Sequence, residues 1–496
     1  MQTLESPPQA SAGTAADADI TAAIKRCYLT KRGVAPHLIE VSTKAGIVEL
    51  TGATNSLLSR HRAEEIALAV CGVRGVVNEL VVNGPDVPSP ELHQHVQQAL
   101  ADDPVARDYN LRCTVSDGMV WLTGTVRSWA EKQLALRVVE GVRGVQHIVD
   151  DQLRVCREGP PKSDADLTRQ LLEALDWDIR VNRNLVQVRT ADRMVHLAGT
   201  VGSLAVKRRI EGLAYELGAS RVDGRDLLVA RWALGPGMGR EEDLDRSDEA
   251  IAQAVRDTFD RDPRLREELP QVEVQAHAGA VTLRGTVGNL RACRSAAHDA
   301  GQVAGVREVH NLLKVRPTRF WSDADLRQRV AAALQRDPYL HGFHFSVTVL
   351  NSRATLHGWV SSRFEQEQAG ELASGVNGVV DVENRVAVWP DGHHAAQALA
   401  GHLTGSLRPA EKPLPAAELV ARIRARYAWS VWLHNQPIDV RVEEGESRVT
   451  LTGAVDTAQA RELAVREAYE QGATEVDNHL RVCPTPEKRT VLSPTI

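Results

Sequence analysis

The sequence predicts an α+β protein built from tandem copies of one small domain, with the element order helix, strand, strand, helix, strand. Three features support this: a glycine after alternating apolar residues recurs six times, a helical apolar stripe precedes each glycine, and an N-cap residue follows it. Successive glycines are 72 to 95 residues apart, which is too long and uneven for a solenoid repeat. Each copy is therefore expected to have its own core.

Each copy begins with a predicted helix. Apolar residues four and eight positions apart trace one helical face, as Leu167, Leu171 and Leu175 do in the third copy. Three of these helices are followed by Asp-Pro, which ends a helix because proline cannot continue its hydrogen-bond ladder. The paired carboxylates at one such end, Asp102 and Asp103, are expected to be solvated.

A β-hairpin is predicted next. Apolar residues two and four positions before the recurring glycine share one strand face, and a second alternating pair lies earlier, beyond turn-forming residues. A strand glycine permits close backbone approach, so we expect these glycines to be structural, with the second helix packed tightly against them. They are Gly52, Gly124, Gly199, Gly285, Gly358 and Gly453.

A second helix and a last strand complete each copy. A residue suited to N-capping stands four positions after the strand glycine, and a later glycine is expected to end the helix at its C′ position. The caps are Ser56, Ser128, Ser203, Asn289, Ser362 and Thr457, and the terminal glycines are Gly72, Gly144, Gly218, Gly305, Gly378 and Gly472. A strand such as VHNLLKV (309–315) follows.

These elements define six units, numbered here in chain order. The predicted boundaries are 17–82, 89–155, 163–229, 246–315, 322–388 and 414–482, with units 3 and 6 divergent. Linkers are predicted at 230–245 and 389–413, and disordered tails at 1–16 and 483–496. Short linkers favour packing of unit 1 with unit 2 and of unit 4 with unit 5.

The unit resembles the BON domain. The resemblance rests on a Leu-x-Gly-x-Val core, Asp-Pro after the first helix, and a Gly-Val-x-x-Val-x-Asn-x-Leu-x-Val ending, complete in GVREVHNLLKV from Gly305. Unit 3 has Gly224 instead of the asparagine and one extra residue before Leu227, and unit 2 has Asp151. The resemblance implies a three-stranded mixed sheet packed by two helices, in a bacterial family tied to envelope stress, phospholipid association and, in some members, potassium sensing. It does not imply an enzyme.

Composition limits the function classes. The 496 residues are 43% hydrophobic and 25% charged with a net charge of −6, which is typical of globular proteins and lacks the basic excess of a nucleic-acid binder. No apolar run predicts a transmembrane segment, and no signal-peptide pattern begins the sequence. A cytoplasmic location is therefore favoured, with the periplasm as the alternative that the family resemblance implies.

The sequence predicts no metal, cofactor or catalytic site. The six cysteines form no CxxC motif, and we expect reduced thiols, with Cys27 and Cys113 buried as small hydrophobes. His393, His394 and His402 lack further ligands at metal-binding spacing. No nucleophile, phosphate-loop or metalloprotease motif is recognised.

Two functions are carried forward. The first is a noncatalytic, multivalent binding protein that contacts an anionic phospholipid surface or envelope proteins weakly through several units. The second is a cytoplasmic ion or small-ligand sensor of the potassium-binding type. The candidate lipid contact is the basic cluster Lys207, Arg208 and Arg209, with ordinary charged helix surface as the alternative. The sequence does not predict an oligomeric state.

Overall fold

A computed structural model shows the predicted element order in all six units, which confirms the fold class. It describes residues 16–31, 33–156, 162–230, 233, 246–317, 320–388, 415–434, 436–442 and 447–482. The C-terminal tail, nearly all of the N-terminal tail and nearly all of the two predicted linkers lie outside the described residues.

Two helices in each unit cover one face of its sheet. The first helices are Asp17–Thr30, Ser89–Asp102, Asp164–Trp177, Asp248–Arg261, Asp323–Arg336 and Ala416–Trp429. The second helices are Leu57–Leu68, Trp129–Glu140, Leu204–Leu217, Leu290–Ala300, Arg363–Ser374 and Ala458–Glu470. The predicted apolar stripes of the first helices are buried, as the prediction requires. All six predicted N-cap residues precede the second helices, and five of them accept a backbone N–H hydrogen bond at the helix start.

Each sheet has the middle strand antiparallel to the first strand and parallel to the last. The hairpin strands are Ile39–Lys44 with Ile47–Thr54, Asn110–Ser116 with Met119–Val126, Val186–Ala191 with Met194–Val201, Val272–His277 with Ala280–Val287, Phe345–Leu350 with Arg353–Val360, and Ile438–Val442 with Arg448–Val455. The last strands are Gly75–Asn78 with Val81–Val82, His147–Val155, Arg221–Val229, Glu308–Val315, Asp381–Val388 and Glu475–Val482.

The asparagine of the last strand ties that strand to the second helix. In unit 4 the Asn311 Nδ2 donates to the Cys293 carbonyl at 2.7 Å. Units 2 and 3 lack this asparagine and have an irregular strand register at the extra residue. In these two units a lysine on the second helix makes the hydrogen bond between helix and last strand instead. Lys132 Nζ donates to the Leu153 carbonyl at 3.2 Å, and Lys207 Nζ donates to the Leu227 carbonyl at 2.9 Å.

The second helices end in two different ways. In units 3 and 6 they end at Leu217 and Glu470, one and two residues before the predicted terminal glycines Gly218 and Gly472. The prediction is wrong for the other four units, where the helix ends at Leu68, Glu140, Ala300 or Ser374 and a further turn precedes the glycine. That turn has a free backbone N–H because it has left the helix, and another unit uses it.

These turns pair the units in space. The residue before the glycine donates its N–H to the carbonyl of the last residue of a first helix in another unit. The bonds are Cys71 to Trp429 at 3.1 Å, Arg143 to Arg336 at 2.7 Å, Asn377 to Asp102 at 3.1 Å and Ala304 to Trp177 at 2.9 Å. They join unit 1 to 6, unit 2 to 5 twice in reciprocal fashion, and unit 3 to 4. We call these interfaces seam 1–6, seam 2–5 and seam 3–4.

Side chains of the second helices connect the units in two closed cycles, 1–2–3 and 4–5–6. The start of one second helix meets the later part of the next, as where Trp129 of unit 2 stacks on Tyr215 of unit 3 with ring centroids 5.7 Å apart. The other contacts are His61 with Glu140, Arg208 with Glu64, Arg294 with Glu371 and Arg363 with Tyr469. Between units 6 and 4 the link is electrostatic, since the charge of Glu462 acts on His298. Units 1 and 2, and units 4 and 5, thus touch as linker length predicts, but their backbone-paired partners lie elsewhere in the chain.

Candidate functional site

The six strand glycines have a backbone role. Their φ angles lie between +108° and +152°, a region that favours glycine. A Cβ atom on any of them would lie less than 3.0 Å from a carbonyl oxygen at the start of the first strand, such as that of Leu38 opposite Gly52. The predicted close backbone approach is therefore found, but the approaching group belongs to the first strand and not to the second helix.

The basic cluster on the second helix of unit 3 does not form one exposed patch. Lys207 holds the last strand of its own unit, as described above. Arg208 pairs with Glu64 of unit 1 at 2.5 Å, and Arg209 Nε lies 3.2 Å from Asp178 Oδ2. Each charge thus has an intramolecular partner, and lipid contact by these three residues stays a prediction.

Buried charges gather instead at the seams. Asp102 and Asp103 are 5% and 4% exposed, so the prediction that they are solvated is wrong. The reason is that units 5 and 4 cover them: Asp102 pairs with Arg336 at 2.6 Å and Asp103 with Arg291 at 3.0 Å.

Seam 3–4 is built around Asp178. Burial alone would raise the pKa of this carboxyl, but the guanidiniums of Arg180 and Arg209 hold it at about 2. The seam contains a cavity of about 20 Å³, lined in part by these three residues, Arg261 and Gln302. This is room for about one water molecule.

Seam 1–6 contains a balanced set of charges. Arg426 binds Glu467 through two hydrogen bonds of 2.7 and 2.8 Å, and Lys31 of unit 1 pairs with Glu467 at 3.1 Å and with Glu470 at 2.8 Å. Burial raises the pKa of a carboxyl, yet the bidentate contact with Arg426 holds the pKa of Glu467 well below its ordinary value. Arg426 also donates to the Cys27 Sγ at 3.1 Å.

The cysteines and histidines considered in the sequence analysis form no site in the described part of the chain. Cys27 and Cys113 are buried, as predicted. His393, His394 and His402 lie outside the described residues. Within the described part of the chain, no group of three or more His, Cys, Asp or Glu side chains could hold a metal ion, and no helix is long and apolar enough to cross a membrane.

In the described part of the chain, no element covers the sheet face opposite the helices, and we call it the far face. Its residues on the first strands alternate with buried ones and are largely exposed: Glu40, Ser42 and Lys44 in unit 1, for example. Three far-face arginines, Arg112, Arg189 and Arg284, are exposed and have no ion pair among the described residues. The far faces therefore offer similar surfaces at six places on the molecule.

Comparison with known proteins identifies the unit. A model of the BON domain matches residues 16–84, 89–157, 163–223, 247–317, 322–390 and 415–484. The third match stops one residue before Gly224, where unit 3 lacks the asparagine.

Similarity to individual proteins covers less of the molecule. The Osmotically-inducible protein Y of Escherichia coli (strain K12) is 32% identical over 123 residues, which are 24% of this chain and 61% of that protein. Two structures of CdsD, a structural protein of the Type III secretion system of Chlamydia trachomatis, are 15% and 14% identical and cover 46% and 47% of this chain and 93% and 100% of theirs. Their TM-scores, 0.13 and 0.12, are too low to support any argument.

Proposed function

This chain belongs to the BON domain family, and on that premise we propose that it is a noncatalytic binding protein of the bacterial osmotic-stress response. It contacts an anionic phospholipid surface, or a protein of the envelope, weakly through several units at once. The similarity to a protein named for osmotic induction supports the stress role.

The observation that carries the binding proposal is that all six far faces stay open while the units contact one another through their helices. Units held together in this way present their faces at high effective concentration, so that several weak contacts add. Exposed arginines on the far faces suit an anionic surface, where each basic residue contributes about 1 kcal/mol.

Vesicle co-sedimentation tests the proposal. Full-length protein is mixed with phosphatidylglycerol or phosphatidylcholine vesicles at low and high salt. We expect salt-sensitive binding to the anionic vesicles alone. Arg112→Gln, Arg189→Gln and Arg284→Gln should each weaken binding about fivefold if all three faces engage, and the triple variant about a hundredfold.

A matched triple variant controls for overall charge. Lys25→Gln, Arg26→Gln and Arg327→Gln remove the same number of positive charges from exposed positions on first helices. Binding should persist in this variant. Equal loss in both triple variants would assign binding to net charge, and no binding by the wild type at low salt would contradict the lipid contact.

A further inference from the structure

Seam 2–5 contains more buried positive than negative charge. Arg143 of unit 2 lies there with Arg329 and Arg336 of unit 5, and its backbone N–H donates to the Arg336 carbonyl at 2.7 Å. Asp102 accepts hydrogen bonds from Arg329 at 3.0 Å and from Arg336 at 2.6 Å. Among the described residues it is the sole carboxylate paired with any of these three guanidiniums. The three arginines therefore have one paired carboxylate between them, since the buried Asp337 that follows Arg336 accepts a hydrogen bond from Gln368 of its own unit instead.

Several hydrogen-bond donors in this seam are buried and have no partner among the residues that the structure describes. They include Nε of Arg143, Nη1 of Arg329, Nη1 of Arg336 and Nε1 of Trp321. Arg336 is only 6% exposed, so bulk solvent does not reach its free donor.

These donors belong to one cluster. Arg329 and Arg336 share the carboxylate of Asp102, and Arg143 donates its backbone N–H to the Arg336 carbonyl at 2.7 Å. The guanidinium carbon of Arg329 lies 3.9 Å from the centre of the Trp321 ring. Burial lowers the pKa of the neighbouring His95, and the charges of Arg336 and Arg143 lower it further.

Arginine cannot relieve this imbalance by releasing a proton. Water would satisfy the free donors but would leave the excess charge buried, which is unfavourable without a counter-charge. We propose that a small inorganic anion, chloride or phosphate, binds in seam 2–5 between Arg143, Arg329 and Arg336. Because both units contribute to this site, the bound anion strengthens the contact between units 2 and 5 as the anion concentration rises. The site does not depend on the proposed function.

Thermal unfolding of the full-length protein tests the site. The reference buffer contains sodium gluconate, which is replaced by sodium chloride in one arm and by sodium phosphate in the other at equal ionic strength. A tenfold excess of the anion over its Kd should raise the Tm by about 1 to 2 °C. The arm with the larger rise identifies the preferred anion.

Arg143→Ala is the informative variant. Ala304 occupies the equivalent position in unit 4 and makes the same backbone hydrogen bond, so alanine is compatible with the turn. This variant should fold and lose the anion-specific rise. Arg353→Gln, which removes a charge 62% exposed on unit 5, should keep it. This comparison also removes any general effect of phosphate on stability.

Bromide soaked into crystals of the full-length protein locates a chloride site directly. If chloride gives the larger rise, an anomalous peak between the three guanidiniums is expected. If phosphate does, phosphorus anomalous signal is sought there. The proposal is overturned if the wild type shows no anion-specific rise, if Arg143→Ala shows the same rise, or if the seam has no peak for the preferred anion.

Discussion

Seam 1–6 and seam 2–5 use the same backbone hydrogen bond but neutralise buried charge in different ways. In seam 1–6, Arg426 and Lys31 face Glu467 and Glu470, so positive and negative groups are equal in number. In seam 2–5, Asp102 pairs with Arg329 and Arg336, and Arg143 has no ion pair among the described residues. The turn that joins two units therefore does not determine the charges around it.

The two seams should therefore respond differently to ions in solution. A seam whose charges are internally paired needs nothing from solution, and its stability should respond little to small ions. A seam with excess charge should respond to them. The following variants test the contrast, beginning with the largest expected effect.

Glu467→Gln should damage seam 1–6 most. Glu467 is 1% exposed, and its removal leaves Arg426 and Lys31 with less counter-charge in a buried setting. Breaking a buried pair in this way costs about 3 to 5 kcal/mol. Denaturant unfolding of the full-length protein should show the loss. Glu475→Gln, in an ion pair with Arg448 whose side chains are 55% and 37% exposed, should change the midpoint by much less. Similar losses in both variants would contradict the buried role.

Asp337, next to Arg336 in seam 2–5, should make stability depend on pH. Burial raises its pKa to about 6, although Gln368 and two backbone N–H groups partly oppose the shift. The folded state therefore binds the proton more tightly than the unfolded state, whose aspartate pKa is about 3.9. The resulting stabilisation is complete below about pH 4 and is lost as pH rises through 6, by about 3 kcal/mol.

Asp337→Asn should remove this dependence, measured as the change in urea midpoint between pH 4.5 and 7. Asp178→Asn is the matched control at the equivalent position of seam 3–4. The pKa of Asp178 is held at about 2, so its stabilisation is lost only as pH falls below about 4. This control should destabilise the protein but keep the wild-type change from pH 4.5 to 7. An unchanged pH response in Asp337→Asn would show that other groups cause it.

The sequence predicted the elements and contacts within each unit but almost none of the contacts between units. Apolar periodicity and N-caps report on neighbours in one sheet or helix, and these predictions were confirmed; the strand glycines do allow a close backbone approach, but by the first strand and not by the second helix. The ion pair of Lys31 with Glu467 joins residues 436 positions apart, and no local period records such a contact. The same reason explains Asp102, which has the sequence features of an exposed helix end and is buried by unit 5.

One feature of the contacts between units, the turn after the second helix, is related to a difference visible in the sequence. Units 3 and 6 were recognised as divergent, and they are the units whose second helix ends within two residues of the terminal glycine. They lack the turn that donates across a seam. Lys207 left a similar trace: it stands on the second helix of a unit without the asparagine and donates to the last strand, whereas elsewhere the asparagine of the last strand donates to the helix.

The smallest expected effect concerns the side-chain contact between unit 1, which belongs to seam 1–6, and unit 2, which belongs to seam 2–5. His61 of unit 1 lies 3.0 Å from Glu140 of unit 2, and the hydrogen bond to that carboxylate raises the histidine pKa. The stabilisation is therefore complete below the ordinary histidine pKa and is lost as pH rises through the raised value. Because the imidazole is 43% exposed, His61→Gln should cost less than about 1 kcal/mol at pH 6 and almost nothing at pH 9.

Urea midpoints at the two pH values measure this cost. His277→Gln is the control, since His277 is 96% exposed and faces Asp248 within its own unit. If His61→Gln instead destabilised the protein as strongly as Glu467→Gln, side chains between neighbours in a cycle would hold the units together as firmly as the seams do. The charge balance of a seam would then matter less than the contrast between seam 1–6 and seam 2–5 requires.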